Sequence, residues 1–212
     1  IFYAESGGQV SDRGSIVNNE FTGKVINSNK IKLGNDIKIF ICNIEVISGE
    51  LQTGEIVSQK LDLDYRKKIS SHHSATHLLH ETLRQKLGNH VAQKGSLVTD
   101  ERLRFDFSHP KPIEEKKLQD IEDEVNNRIL SNDDVSTKIM TQSKAIENGA
   151  IALFGEKYGD QVRVVSMGKS IDSNRNAWSV ELCGGTHVKN TSEISTFKII
   201  SETGVSSGVR RI

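Results

Sequence analysis

Four residues combine the donor atoms of a metal site with two short spacings. His73 and His77 are four residues apart in a segment with helical periodicity, so both imidazoles fall on one helix face about one turn apart. Cys183 and His187 are also four apart and enclose two glycines, a pattern that lets a tight loop direct a thiolate and an imidazole at one ion. This borderline-soft donor set favours zinc over magnesium or calcium.

Neighbouring residues restrict the chemistry of such a site. Helical zinc proteases carry Glu directly after the first histidine as general base, and Ser74 occupies that position here, so proteolysis is excluded. His72 is expected to lie outside the site, because the next residue on a helix points about 100° away. A structural zinc with four protein ligands and a catalytic zinc with an open position both remain consistent with the sequence.

The elements that must position these residues are mixed strands and helices without regular βαβ repeats, so the predicted class is α+β. Glycines punctuate short strand-like runs in residues 1–64, such as 37–41 and 55–58, and predict a small barrel-like subdomain. Residues 65–212 are predicted to form a mixed α+β domain that holds the zinc site.

A helix over residues 65–87 is predicted to carry His73 and His77, with Ser70 or Ser71 capping its start and Gly88 ending it. A second helix is expected after Pro112, with apolar positions 113, 118, 121, 125 and 129 on one face. A short helix is predicted over 145–153. Strands are predicted over 103–107, 135–140, 161–167, 178–182, 194–200 and the closing residues 210–212.

Composition limits the class of protein. The 212 residues carry a formal net charge of zero, which argues against bulk attraction to nucleic acid but leaves room for a local basic patch. No apolar run approaches the roughly 20 residues of a membrane helix. Two cysteines are too few for a disulfide scaffold; Cys42 is expected to be a buried apolar residue, and a cytoplasmic location is favoured. A first residue other than Met suggests a fragment of a longer protein.

The motif segments resemble a known family. The segments His73-Ser74-Ala75-Thr76-His77 and Cys183-Gly184-Gly185-Thr186-His187 are similar to the editing domain of alanyl-tRNA synthetase. So are Phe2-Tyr3-Ala4-Glu5-Ser6-Gly7-Gly8-Gln9, His90-Val91-Ala92-Gln93-Lys94-Gly95-Ser96 and Arg102-Leu103-Arg104-Phe105-Asp106-Phe107. The segment from Ala152 to Asp160 and the closing Gly208-Val209-Arg210-Arg211-Ile212 fit the synthetase better than AlaX-type deacylases or the threonyl-tRNA synthetase editing domain, which share the zinc-type motifs.

The resemblance implies hydrolysis of the 3′ aminoacyl ester of mischarged Ser-tRNA(Ala) and Gly-tRNA(Ala), with Ala-tRNA(Ala) spared. Such a second sieve is needed because a pocket for a small side chain rejects near-isosteres poorly. The implied partners are the acceptor end of tRNA(Ala) and, in cis, the ATP-binding aminoacylation domain and the C-terminal domain of a parent synthetase. The alternatives are a free-standing AlaX-type deacylase and a non-catalytic structural zinc module that binds tRNA.

The resemblance also implies roles for single residues. Gln93 lines the pocket and acts with the four zinc ligands in catalysis, while Thr76 and Ser96 shape the pocket so that a hydroxyl there pairs with the serine substrate. The zinc either activates water or holds the substrate while the RNA's terminal hydroxyl helps, and the sequence leaves both open.

The loop Gly7-Gly8-Gln9 is expected to approach the tRNA acceptor end, because glycines permit close contact with phosphate or ribose. A Gly-Gly-Gln tripeptide also marks peptide release factors, but the flanking residues here favour the synthetase. Backbone contacts to tRNA are predicted for Arg102 and Arg104, with further basic candidates at Arg66, Lys67, Lys68 and Arg210.

Overall fold

The computed structural model describes residues 1–33, 37–151, 159–169 and 177–212. In these ranges lie the helices α1 (Leu63–Leu87), α2 (Glu115–Leu130) and α3 (Gln142–Glu147). The strands are β1 (Gly14–Val17), β2 (Thr22–Leu33), β3 (Ile37–Ser48), β4 (Ser58–Leu61), β5 (Gln93–Val98), β6 (Leu103–Ser108), β7 (Val135–Thr141), β8 (Gln161–Met167), β9 (Ser179–Leu182), β10 (Thr203–Ser206) and β11 (Val209–Arg211). Antiparallel sheets combined with helices confirm the predicted α+β class.

The first sheet has the order β3-β2-β1-β4 and is open. Its small core contains Ile16, Phe21 and Val25, with the half-buried Cys42 against them. Within the described residues the edge strands β3 and β4 do not pair with each other, so the predicted barrel-like closure is not confirmed. The strands differ in length. β4 has four residues and pairs with β1, whereas β2 and β3 are paired strands of twelve residues each. β4 also begins at Ser58, later than the predicted run over 55–58.

Helix α1 confirms the predicted helix and begins two residues earlier, at Leu63. Its N-cap is Asp62, whose carboxylate accepts a backbone N–H of the first turn, as short acidic side chains commonly do. The expected caps Ser70 and Ser71 were therefore wrong, since both lie inside the helix. Gly88 ends the helix with φ of +119°, a conformation that side-chain-bearing residues rarely adopt.

Helices α1 and α2 pack together beside the second sheet, which has the order β10-β11-β6-β5. The predicted apolar face of α2 is confirmed at positions 118, 121, 125 and 129, whereas Ile113 is buried just before the helix begins. The predicted closing strand is β11, paired with β6. Each fully buried aliphatic side chain stabilises this core by roughly 1.5–3 kcal/mol. Its most buried members are Leu78, Leu79, Leu83, Phe105, Phe107, Ile121, Val125 and Ile129.

The third sheet, β7-β8-β9, confirms three of the predicted strands. All four side chains of β9 are buried, so this strand is covered on both faces rather than alternating. Helix α3 lies earlier than predicted and begins at the cap Thr141. The end of the predicted helix over 145–153, and residues 152–158 of the motif that continues to Asp160, fall outside the described residues.

The strand predicted over 194–200 is wrong. Residues 191–194 form a 3₁₀ turn, and the following stretch has no ladder partner among the described residues. Side chains of α2 satisfy its backbone instead. Asn126 exchanges two hydrogen bonds of 2.9 Å with the backbone of Phe197, and Glu122 accepts from the N–H of Ile199 at 2.8 Å. Apolar periodicity in the sequence does not reveal such side-chain partners.

A segment before the first sheet links it to the second. The N–H of Val98 in β5 donates to the carbonyl of Gly8 at 2.8 Å, and the N–H of Val10 donates to the carbonyl of Val98 at 3.1 Å. Buried Asp12 pairs with Arg66 on α1. These contacts hold residues 8–12 against β5 and α1 and carry Gln9 into the interior.

Candidate metal centre and adjoining cleft

The structure brings His73, His77, Cys183 and His187 together. One donor atom from each lies within 4.8 Å of the others, so the cluster could hold a metal ion. Cys183 Sγ is 3.3 Å from Nε2 of His73 and 3.3 Å from Nε2 of His187. The first two histidines come from one face of α1, and the other two ligands come from the loop that follows β9.

The loop after β9 fits this geometry because of its second glycine. A Cβ atom on Gly185 would lie 2.1 Å from Cε1 of His73, whereas one on exposed Gly184 would meet nothing within 4 Å. Arg163 on β8 holds the same loop by donating to the carbonyls of Cys183 and Gly185, each at 2.8 Å. The turn therefore lies directly on the His73 ring.

Each imidazole of the cluster has a partner on its outer nitrogen. His73 Nδ1–H donates to Gln9 Oε1 at 2.6 Å, and His77 Nδ1 lies 2.9 Å from Glu181 Oε2. His187 Nδ1 lies 3.2 Å from the Ser74 hydroxyl. Such contacts fix the tautomer of metal-binding histidines and leave the other nitrogen free for the ion.

The electrostatics of the cluster follow from burial and close charges. Burial alone raises the pKa of the Cys183 thiol, but His77 and His73 outweigh it and hold that pKa well below its ordinary value. Burial and the neighbouring His73 lower the pKa of His187 to about 3. Burial also acts to lower the pKa of His77, but Glu181 and Cys183 overcome it and raise that pKa to about 10. Thiolate and neutral His187 are ligand forms, and a metal must displace the proton of His77.

The residues fit a tetrahedral zinc. With bonds of about 2.0–2.3 Å, such a zinc needs donors roughly 3.3–3.7 Å apart. Cys183 Sγ has this spacing to His73 and to His187, and all four donors lie within 4.8 Å of one another. Nε2 of His77 is buried and has no hydrogen-bond partner in the described part of the chain, as expected for a nitrogen aimed at an ion. His72 lies outside the cluster and bonds the carbonyl of Thr99 at 2.7 Å instead.

A cleft of about 390 Å³ opens beside the cluster. Three residues expected in the pocket, Thr76, Gln93 and Ser96, line it, and Gly7 does so as well. Thr76 Oγ1 donates to the carbonyl of His72 at 2.8 Å, which leaves its lone pairs free to accept. Toward a group in the cleft the hydroxyl can therefore act as an acceptor.

The loop Gly7-Gly8-Gln9 divides between surface and interior. Gly7 is exposed at the cleft, whereas Gly8 packs so closely that a Cβ would lie 2.5 Å from the carbonyl oxygen of Ser96. Gln9 has no exposed surface and is bonded to His73 and Thr186. Only the first of the three is thus positioned to meet an RNA directly.

The predicted tRNA-contacting arginines lie away from the cleft lining. Arg102 is exposed, and Arg104 lies 3.7 Å from Asp106. Both line a second groove of about 740 Å³ beside α1, together with Lys67 and Lys68. Of the other basic candidates, Arg66 pairs with Asp12 and Arg210 with Glu202.

Several site residues were missed at the sequence level. Lys30 and Lys38, on the β2–β3 hairpin, line the cleft, but nothing in a two-residue basic pattern distinguishes them from surface charge. Glu181 carried no signal either, because it alternates with apolar Val180 and Leu182 and so reads as part of an exposed polar face, whereas β9 is buried on both faces. Arg163 carried none, because its role depends on how β8 packs beside the loop.

The chain is similar to known proteins in two comparisons. Residues 162–212, which include Cys183 and His187, match the family described as the threonyl and alanyl tRNA synthetase second additional domain. The whole chain is 51% identical over 212 residues to the alanine–tRNA ligase of Rhizorhabdus wittichii. The chain spans about a quarter (24%) of the length of that relative. The resemblance to the editing region of alanyl-tRNA synthetase is confirmed by these two matches.

No helix in the described part of the chain is both long enough and apolar enough to cross a membrane.

Proposed function

We propose that this chain is the zinc-dependent editing part of an alanyl-tRNA synthetase, which hydrolyses the 3′ ester of mischarged Ser-tRNA(Ala) and Gly-tRNA(Ala). The observation that carries the proposal is the His73, His77, Cys183 and His187 cluster opening onto a cleft. The 51% identity over the whole chain supports the parent enzyme. A subdomain of residues 1–64 and an editing domain of residues 65–212 are part of the proposal, as is a cytoplasmic location, where Cys183 stays reduced.

The cleft supports an ester substrate. Zinc bound by these residues would act as a Lewis acid toward the ester carbonyl or toward a water if one ligand were released or the coordination shell expanded to five. Gln93, on β5 at the cleft, offers an amide that orients either the water or the aminoacyl group. The water-activating and substrate-positioning alternatives both use these same residues.

Selectivity for serine follows from the Thr76 hydroxyl. Because its proton is held by the His72 carbonyl, Thr76 Oγ1 accepts from a serine hydroxyl, and alanine leaves that acceptor unsatisfied. Ser96 lines the same cleft and bounds the room for the side chain. Glycine makes no such hydrogen bond, so we expect serine to be the faster substrate.

The RNA end of the substrate requires positive charge at the cleft. Lys30 and Lys38 supply it, and exposed Gly7 lies on the same lining. We propose that these residues meet the phosphates of the tRNA(Ala) acceptor end, while Arg102 and Arg104 contact RNA further away. The aminoacylation and C-terminal domains of the parent enzyme would supply most of the remaining affinity in cis.

The test is deacylation by the purified chain. Ser-tRNA(Ala), Gly-tRNA(Ala) and Ala-tRNA(Ala) are incubated with the chain, with and without a zinc chelator. We expect rapid loss of the serine ester, slow loss of the alanine ester, and inhibition by the chelator. Cys183→Ala should abolish the reaction, whereas Cys42→Ala, the matched cysteine on β3, should retain it. Survival of the serine ester as in buffer would exclude this function and leave a zinc module that only binds tRNA.

A free-standing deacylase would catalyse the same reaction but as a separate chain and not as part of a synthetase. Transferring the chain into an alanyl-tRNA synthetase whose own editing segment is deleted distinguishes the two. Restored clearance of Ser-tRNA(Ala) in cis supports the synthetase fragment, and activity only when supplied as a separate chain supports the AlaX-type alternative.

A further inference from the structure

Gln9 contacts the metal cluster from the far end of the chain. Its Oε1 accepts from His73 Nδ1–H at 2.6 Å and from the N–H of Thr186 at 2.9 Å, and its Nε2 donates to Thr186 Oγ1 at 3.0 Å. The side chain has no exposed surface. One amide therefore joins the helix that carries His73 to the loop that carries Cys183 and His187.

The contacts determine how the amide is oriented. The backbone N–H of Thr186 can only donate, so the Gln9 atom that it contacts must be the carbonyl oxygen. His73 Nδ1 lies 2.6 Å from the same oxygen, which can only accept. His73 therefore carries its proton on Nδ1 and presents the lone pair of Nε2 to the cluster. Rotating the amide by half a turn would place its NH₂ group against both donors, so the orientation is set by its neighbours.

The two glycines of the contacting segments make room for this arrangement. A Cβ on Gly8 would lie 2.5 Å from Ser96 O, which would push the Gln9 segment away from β5. A Cβ on Gly185 would lie 2.8 Å from Gln9 Oε1 as well as against the His73 ring. The backbone of residues 8–10 also pairs with Val98 on both sides. The position of the His73 ring therefore depends on docking of this segment against β5.

We propose that Gln9 is a positioning residue for the metal ligand His73, and that docking of residues 6–10 against β5 is thermodynamically coupled to metal binding. If the metal binds the docked state more tightly, docking must raise the affinity for the metal by the same factor. This inference rests on the metal site of the proposed function. In this proposal the glutamine of the Gly-Gly-Gln loop positions a metal ligand and does not contact RNA directly.

The first measurement is zinc affinity, obtained by competition with a chromophoric chelator. Gln9→Leu removes both the acceptor and the donor, and we expect a loss of about 10–100-fold in affinity. Gln9→Glu keeps an oxygen for His73 and Thr186 N–H, and Thr186 Oγ1 can turn to donate to the second oxygen. We expect it to bind within a few-fold of the unmodified chain, a rescue that a merely space-filling role would not give.

Gln161→Leu is the matched control, because that exposed glutamine lines the same cleft and, among the described residues, has no side-chain hydrogen bond to the four ligands. We expect its zinc affinity to stay within about threefold of the unmodified chain. Unchanged affinity in Gln9→Leu, or an equal loss in Gln9→Leu and Gln9→Glu, would overturn the inference while leaving the proposed function intact. Failure of the unmodified chain to bind zinc would overturn both.

The second measurement uses the unmodified chain and so does not depend on whether a variant folds. Hydrogen exchange is followed with and without zinc at three amides. Val10 and Val98 bond across the docked segment, and Asn148 at the end of α3 bonds the carbonyl of Lys144. We expect zinc to slow exchange at the first two by more than tenfold beyond any change at Asn148. Equal changes at all three would exclude the coupling.

Discussion

Glu181 Oε2 lies 2.9 Å from Nδ1 of His77, and the second oxygen of the same carboxylate lies 3.1 Å from Nδ1 of His80. The carboxylate is 2% exposed, so one buried anion holds two imidazoles of α1 against β9. Burial acts to raise the pKa of Glu181, but His77 and His80 outweigh it and hold that pKa well below the ordinary value. The orientation of His77 thus depends on Glu181, which is not one of the four candidate metal ligands.

Replacing that anion should weaken the metal site. His77 and His80 each bond a different oxygen of Glu181. Glu181→Gln converts one of these oxygens into an NH₂ group, which cannot accept, so His77 or His80 loses its partner. We expect zinc affinity to fall by about 10–100-fold, measured by chelator competition. Glu101→Gln, at an exposed acid, should bind zinc as the unmodified chain does. Equal affinities in the two variants would contradict the role of Glu181.

The two adjacent glycines of the ligand loop provide a matched pair. Gly185→Ala places a methyl group 2.1 Å from the His73 ring, and we expect loss of most zinc binding and of at least 100-fold in deacylation rate, since metal placement tolerates little displacement. Gly184→Ala meets nothing within 4 Å and should retain both. The deacylation rates and zinc contents of the two purified variants are measured. Similar values in both would contradict the close packing of Gly185 against His73.

The hairpin lysines should act on RNA affinity rather than on the ester. Lys30→Ala and Lys38→Ala should each weaken binding of tRNA(Ala) and reduce the slope of log affinity against log salt by about 0.7–1. Lys24→Ala, on β2 away from the cleft lining, is the control and should change the slope little. Binding titrations at several salt concentrations measure this. A slope that stays the same in both cleft variants would place the phosphates elsewhere.

Stability should depend on pH through Glu122. Burial acts to raise its pKa, but Lys198 and the N–H of Ile199 outweigh it, and the folded-state pKa is lowered from 4.5. A depressed carboxylate stabilises fully above the unfolded-state value, and the contribution is lost as pH falls through the folded-state value. Glu122→Gln should therefore cost about 1–3 kcal/mol at pH 7 and progressively less below pH 4.5.

Chemical denaturation at a series of pH values measures that difference in the free energy of unfolding. Asp120→Asn, at an exposed acid on the same helix, serves as the comparison and should cost less than about 0.5 kcal/mol throughout. A Glu122→Gln penalty that is constant from pH 7 to pH 3 would show that the carboxylate charge contributes nothing.

Local patterns were enough to predict helices α1 and α2 and the four residues whose donor atoms cluster. The spacing of His73 and His77 depends only on helix geometry, and the loop from Cys183 to His187 depends only on a short turn. Helices α1 and α2 follow from apolar periodicity for the same reason. These features involve residues within a few positions of one another, which is the range that a sequence pattern reports.

The features that sequence missed depend on distant neighbours. Gln9 bonds Thr186, which is 177 residues away, so the glutamine reads as part of a surface loop until the fold is known. The segment 194–200 has the apolar character of a strand, but Asn126 on α2 takes its backbone groups. The start of α1 is a different case, since Asp62 is a strong cap signal that lies three residues before the boundary predicted at 65.

The separation of the ligands along the chain has a consequence for unfolding. His73 and Cys183 are 110 residues apart, so an ion held by both would act as a cross-link that closes a very long loop. The entropy that such a closure removes from the unfolded chain grows only slowly with loop length, but at this length it is already several kcal/mol by the estimate used for disulfides. Removing the ion would then weaken the contact between α1 and the third sheet, in addition to abolishing the proposed reaction in the cleft.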